Sequence, residues 1–483
     1  MNITSFEFAL FFAVVLPLNW ILRRFAAPYR LFLLLASYVF YASFNAKFLL
    51  ILLIFSFLTW FFAVVFAETS DHRFRRFCLI LYVAFALGML IFFKYYEMLY
   101  ISADWLFRVF AATNPVPLLD VIMPIGISFF TFQGMSYAID VYRDPTKVER
   151  SLVEVFCFIS FFPTILSGPI LRAGNFLPQL KKDRVEQVDF TRAFYLLIRG
   201  LLKKIIISSY LSEHIVRTTF GAPEGFSSAA VLVGVLSYAA QIYCDFSGYS
   251  DLAQGIALLM GFDVPDNFHA PYSAQSLRDF WRRWHITFSV WLRDYLYISL
   301  GGNRKGRVRK YVNLVTTMAL GGLWHGAAYN FLVWGFIHGF GLVGNHLVME
   351  FRTARAVRRE ERGLPPTGPV LAGSWAGLCW LLTFVYVCVA WVFFGAEDAG
   401  KAVDILSRIF AFDPSGAGFR PTCLVLVLLV VAVQQMHVSG KDLFRKGFER
   451  LPFPVQGVAL GLVTACILKL GPDGVLPFIY FQF

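Results

Sequence analysis

The chain has 483 residues, 58% of them hydrophobic and 15% charged, with a mean hydropathy of +0.63. Soluble domains carry about 25% charged residues, so the composition excludes an ordinary soluble protein and describes a polytopic integral membrane protein. The net charge of +12 sits in short basic clusters between apolar runs, as in cytoplasmic loops; no nucleic-acid motif accompanies it, and no nucleic-acid partner is expected.

Crossing a hydrocarbon layer of ~30 Å takes about 20 helical residues. In chain order the apolar runs predict spans near 5–22, 30–43, 46–67, 77–96, 119–138, 152–171, 228–244, 311–322, 329–349, 371–395, 420–436 and 455–470. Segments 190–208, 247–262 and 278–299 are more mixed and read as tilted, re-entrant or interfacial helices. The expectation is an all-α bundle of roughly 11–13 membrane helices. It forms a single domain over 1–483, with a chemically dense core at about 120–346 and C-terminal helices over 370–483. The N-terminus lacks a basic n-region, so the first apolar run reads as a retained span. Membrane lipids are its first partners.

Basic residues set the expected orientation. Arg23, Arg24 and Arg30, then Arg73, Arg75 and Arg76, then Arg143, Lys147 and Arg150 fall on one side by parity, and the positive-inside rule makes that side cytoplasmic. Arg352 to Arg362 and Lys441 to Arg450 mark further cytoplasmic loops. The N-terminus and the loop 396–419 then lie outside, and the tail Pro477–Phe483 outside or at the outer interface. Parity fails through 172–310, where the mixed segments lie. The seven cysteines are scattered in or beside apolar runs, with no Cys-x-x-Cys and no Cys/His cluster of zinc spacing. They read as small buried hydrophobes, and no metal site is expected.

Chemistry concentrates in 240–346. Tyr243-Cys-Asp-Phe-Ser-Gly-Tyr-Ser-Asp251 places Asp245 and Asp251 between apolar flanks, and Gly248 beside serines suggests a helix break. A cavity wall and a hydrogen-bonded helix junction are both open readings. In 278–299, Trp281, His285, Phe288 and Leu292 recur at helical spacing, with Arg278, Arg282 and Arg293 off that stripe. An interfacial helix with lipid-facing arginines and an inward His285 with arginines holding an anion are both compatible with the pattern. Gly301-Gly-Asn-Arg-Lys-Gly-Arg-Val-Arg-Lys310 is either a phosphate-facing loop, with Asn303 and Arg304 near its tip, or a plain basic loop; it lacks the Walker pattern.

Gly321-Gly-Leu-Trp-His-Gly326 puts His325, beside Trp324, in an apolar stretch. An ionisable imidazole at membrane depth is costly and marks a candidate functional site; the alternative is a structural histidine bonded within the bundle. His338 lies 13 residues further on, which on one continuous helix is a different face, so the two are not paired. No His-Glu-x-x-His, Gly-x-Ser-x-Gly or Gly-x-Gly-x-x-Gly motif is present. A buried histidine suits proton transfer, taking a hydroxyl proton while the oxygen attacks a thioester.

Together, Gln241–Asp251, Phe280–Thr287, Trp291–Arg304 and Gly321–Gly326 resemble the membrane-bound O-acyltransferase (MBOAT) family, in the bacterial branch typified by the membrane subunit of alginate O-acetylation. Ala36–Ala42, Pro124–Phe132, Ile139–Arg143 and Ser167–Arg172 match the same branch. The resemblance covers about 5–345 well and the C-terminal third weakly.

It implies a helical fold in which a cytoplasmic funnel meets an extracytoplasmic cavity. The family's invariant histidine matches His325 and its second histidine matches His285, both catalytic. Asp245, Trp281, Trp324, Arg282, Asn303 and Arg304 are the candidate cavity or substrate-binding residues. The resemblance further implies a bacterial inner-membrane enzyme with no bound cofactor and acetyl-CoA as acyl donor. An SGNH-type acetyltransferase partner, within a polysaccharide synthesis and export complex, would carry the acetyl group to the polymer. Alginate is the expected polymer; cellulose, peptidoglycan and teichoic-acid systems use similar subunits. The final Phe-Ile-Tyr-Phe-Gln-Phe is expected to help dock the partner. Two readings from other classes remain: a transporter with His325 as proton relay, for which inverted repeats are lacking, and a non-catalytic export scaffold.

Overall fold

The computed structural model describes residues 1–111, 113–182, 188–362, 369–436 and 446–470. Among these the chain is all-α; no strand forms, and the one extended pairing is the isolated bridge between Phe226 and Ala417. Among the described residues, five helices are long and apolar enough to cross a membrane: Ala46–Glu68, His72–Val109, Ser228–Leu259, Tyr329–Glu361 and Gly373–Gly395. Shorter apolar helices are Phe6–Leu22, Ala26–Ala42, Pro421–Gln435 and Phe453–Ala465. The chain is a polytopic membrane protein, assembled as two compact units.

The first unit comprises Met1–Leu201, Tyr249–Pro265 and Pro452–Gly461. Its first four helices follow one another almost directly, because polar side chains close three of their N-termini. Ser5 accepts from the Phe8 amide, Asn45 from Lys47 and Asp71 from Arg73, each satisfying an otherwise orphaned N–H. Arg23, read from sequence as a loop charge, is instead buried. It donates to the Met260 carbonyl at 2.6 Å and lies over the rings of Trp20, Tyr29 and Phe262.

Two predicted spans are shorter than their apolar runs. The 119–138 run becomes helical only at Ile127, since Pro117 and Pro124 keep the preceding chain extended. The 152–171 run stops at Ser160, ahead of Pro163 and Gly168-Pro169, and continues as buried irregular chain. The opposite correction applies at Gly248: no break occurs, and Ser228–Leu259 is one helix that absorbs the predicted 247–262 segment. Its apolar window is 83% buried, against 22% for His72–Val109, so the first is a core helix and the second presents a lipid face.

The second unit comprises Leu202–Gly248, Asp266–Leu451 and Leu462–Phe483. Its centre is a hairpin of Gly306–His325 and Tyr329–Glu361, joined by three non-helical residues. Small residues let the two backbones touch. A Cβ on Gly322 would stand 2.2 Å from the Phe331 carbonyl oxygen, and one on Gly335 2.5 Å from that of Met318. The predicted continuous helix over 278–299 is corrected to three pieces: Leu277–Arg283, Ile286–Trp291 and a π-helical turn, Leu292–Tyr297. Of the cysteines, Cys78, Cys157, Cys244, Cys388 and Cys423 are buried and Cys379 half-buried. The side chain of Cys466, the tail Pro477–Phe483 and the first half of the Lys441–Arg450 loop, 441–445, lie outside the described residues.

Candidate active site: two buried histidines in an aromatic cage

His285 sits at the break between Leu277–Arg283 and Ile286–Trp291, with a left-handed backbone, φ 42°. Such a φ is uncommon outside glycine, though histidine, asparagine and aspartate adopt it more readily than other residues. It persists only where the surroundings over-determine it, as functional sites commonly do. Here the clamp is the segment 267–269. The Ile286 amide donates to the Asn267 carbonyl and the His269 amide to that of Arg283, both at 2.9 Å.

The Asn267 side chain completes the clamp. Its Oδ1 accepts from the Thr287 amide at 3.2 Å, from the Thr287 hydroxyl at 2.9 Å and from His285 Nδ1 at 3.0 Å. A backbone N–H only donates, so the atom it meets is the amide oxygen, and His285 Nδ1 therefore carries a proton. In the neutral ring the lone pair then lies on Nε2. Sequence reasoning missed Asn267. It stands in Pro265-Asp-Asn-Phe-His269, where only a turn is legible.

His325 is the last residue of its helix; Gly326 follows in extended backbone. The ring is 3% exposed and boxed by aromatics: Trp324 at 5.0 Å, Trp334 at 5.1 Å, Phe394 at 5.2 Å and Phe288 at 5.3 Å between centroids. Phe288 links the two histidines, stacking on His285 at 4.9 Å and packing on Trp324 at 4.6 Å. Phe246 closes the other side of His285, edge-on at 4.7 Å. The structure thus brings His285, His325 and Trp324 into one cluster.

Trp281 joins the cluster through His338. Its Nε1 donates to His338 Nδ1 at 3.3 Å, and Trp334 lies 5.1 Å from His325 and 4.7 Å from His338. The separation of His325 from His338 argued for a continuous helix is thereby corrected. Three non-helical residues intervene, the helices fold back on each other, and the two histidines share Trp334 as a neighbour.

The other candidates lie differently. Asp245 is engaged by Lys204 at 2.5 Å in a buried ion pair. Arg282 is exposed on the short helix before His285. Asn303 and Arg304 are exposed in a loop made by positive φ at Gly301 and Gly302 and pinned by Asn313, whose amide donates to the Leu300 and Gly302 carbonyls. Asn303 accepts from the Tyr297 hydroxyl at 2.5 Å. Of the basic residues that follow, Arg307 and Lys310 pair with Glu350, at 2.5 and 3.6 Å, while Arg304, Lys305 and Arg309 remain exposed.

Two buried imidazoles, one with its proton assigned by an amide, are groups chemically suited to proton transfer, and among the described residues no cluster of His, Cys, Asp and Glu could hold a metal ion. Comparison with known proteins decides the family. The profile of the MBOAT, membrane-bound O-acyltransferase, family matches residues 36–389. The chain belongs to the MBOAT family. It is 35% identical to the probable alginate O-acetylase AlgI of Pseudomonas putida, over 94% of each chain. It is 36% identical to that of Azotobacter vinelandii, over 95% of each. A peptidoglycan O-acetyltransferase of Helicobacter pylori is 33% identical over 80% of this chain and 74% of its own length. The protein is therefore a membrane acyltransferase, and His285 and His325 lie within the matched region.

Proposed function

We propose that this acyltransferase moves an acetyl group from acetyl-CoA, bound on the cytoplasmic side of the bacterial inner membrane, towards O-acetylation of an exopolysaccharide, most simply alginate. The observation that carries the reading is the pair of buried imidazoles, His285 and His325, held around Phe288 and Trp324. His325 acts as general base on an acceptor hydroxyl. His285, fixed by Asn267, assists through Nε2. The rings around them exclude water, which protects the thioester from hydrolysis. The exposed basic loop with Arg304 and Lys305 meets the phosphates of the donor. An SGNH-type partner on the other side receives the acetyl group and passes it on. The N-terminus lies outside.

Inverted membrane vesicles test this. They are prepared from an alginate-producing host that lacks its own membrane O-acetylase and expresses this chain, and are supplied with labelled acetyl-CoA. Label is expected in alginate, and H325A, inserted at normal level, is expected to give none. Normal labelling by H325A would remove the catalytic assignment. A second reading, peptidoglycan as the final polymer, is supported by the Helicobacter pylori relative; label in the murein fraction and none in alginate would select it.

A further inference from the structure

The helix Tyr329–Glu361 carries Asn330, Trp334 and His338 at intervals of four, on one face. Their exposures are 3%, 1% and 0%. Each holds one polar atom without a hydrogen-bond partner among the described residues: Asn330 Oδ1, Trp334 Nε1 and His338 Nε2. Native interiors leave few such groups, and each one asks for a reason.

The protons on this face can be assigned. Asn330 Nδ2 donates to the Ala396 carbonyl at 2.8 Å, so its other atom is the acceptor oxygen. The Trp281 indole N–H is a donor only, so the His338 Nδ1 it meets at 3.3 Å holds a lone pair. The His338 ring is then neutral, with its proton on Nε2. Trp334 Nε1 and His338 Nε2 are therefore two buried N–H donors on adjacent turns, their rings 4.7 Å apart, and the Trp334 ring packs against His325. A tryptophan and a histidine present only to fill space would be replaceable by phenylalanine, without stranded N–H groups.

We propose that Trp334 and His338 donate these hydrogens to the acyl oxygen during transfer at His325. This rests on the reading of His325 as the base. The acceptor's hydroxyl oxygen bonds to the thioester carbonyl carbon as its proton passes to His325. The carbonyl π pair moves onto oxygen, where the two N–H groups meet it. The C–S bond then breaks, the pair on oxygen re-forms the carbonyl, and the departing thiolate takes the proton from His325, leaving an ester and a thiol. Trp281 is a positioning residue, setting the His338 tautomer.

The same vesicle assay, with labelled acetyl-CoA as probe and the protein quantified by immunoblot, tests the donors. W334F keeps the ring and loses the N–H; removing one such donor is expected to lower kcat about 10²–10³-fold. The KM for acetyl-CoA is expected to stay within roughly threefold, since the loss belongs to the transition state. H338A is expected to fall comparably, and H338Q, with an N–H near the position of Nε2, to recover about tenfold over H338A. Wild-type kcat in W334F and H338A overturns the proposal, as does a loss confined to KM or H338Q no better than H338A. If W334F accumulates poorly, the H338Q and H338A pair decides. H325A run alongside separates the two claims. Its retained activity would remove the base assignment, while an inactive H325A beside fully active W334F and H338A removes the donors alone.

Discussion

Lys204 and Asp245 meet at 2.5 Å with their side chains 1% and 8% exposed. The pair ties the π-helical stretch Leu202–Ser208 to the core helix Ser228–Leu259. Removing one partner of a buried pair strands the other charge, at about 3–5 kcal/mol, whereas an apolar replacement of both is often close to neutral. K204M is expected to lower the thermal midpoint in detergent sharply, and K204M/D245L to restore most of it. A double variant as unstable as the single one would show that the pair is not an isolated unit.

Asn267 is expected to behave as a positioning residue for His285. N267A removes one oxygen that serves three donors. Losing such a support around a reactive imidazole typically costs about 10–100-fold in activity. Transfer rate and thermal midpoint should fall together, and H285A/N267A should be no less active than H285A.

Close approach in the His325 hairpin makes Gly322 and Gly335 intolerant of any side chain. G322A and G335A force backbone apart, and overpacking of this kind costs about 1–3 kcal/mol or more. Both should lose acetyl transfer. Gly344 on the same helix, with nothing within 4 Å of its would-be Cβ, supplies the control: G344A should transfer normally.

The basic loop is expected to act on donor binding alone. R304A/K305A should raise the KM for acetyl-CoA roughly 3–10-fold at low salt with kcat preserved, and the difference should shrink as salt screens the exposed charges. A change in kcat with KM intact would place the loop elsewhere in the cycle.

Asp413 predicts an acid-sensitive loop. Hydrogen bonds from the Ser415 hydroxyl and amide, then from Arg408, hold its carboxyl at about 2, below the usual carboxylate range. A depressed carboxyl contributes stability that is present above the ordinary value near 4 and lost as pH falls from about 4 to 2. Limited proteolysis within 411–417 should therefore be slow at pH 6 and accelerate below pH 4. D413N should be cleaved readily at both, because the Arg408 partner is gone.

Much of this architecture is legible in the sequence, for identifiable reasons. Spans such as Ala46–Glu68 are apolar all round, and no alternative packing competes with that signal. Boundaries fail where proline intervenes, as at Pro124 and Pro163. Gly248 misleads because a glycine buried in a helix core takes its helical φ from packing rather than from its own preference. His325 and His285 are found through motifs and through the oddity of imidazole in apolar surroundings. Asn267 is not, since its role is a hydrogen bond across 18 residues that no local pattern announces. His338 is lost to an assumption of helix continuity that the Gly326-Ala327-Ala328 break removes.

The left-handed backbone of His285 has a practical consequence for mutagenesis. Most replacements there change two things at once, removing the imidazole and forcing a side chain into a region it avoids. A β-branched residue would disturb the turn and, through Asn267, everything the turn holds. Asparagine, which tolerates this region, and glycine, which has no Cβ to clash, alter the chemistry with the least damage to the chain path. Comparing H285N with H285V would therefore measure separately what the ring contributes and what the bend contributes.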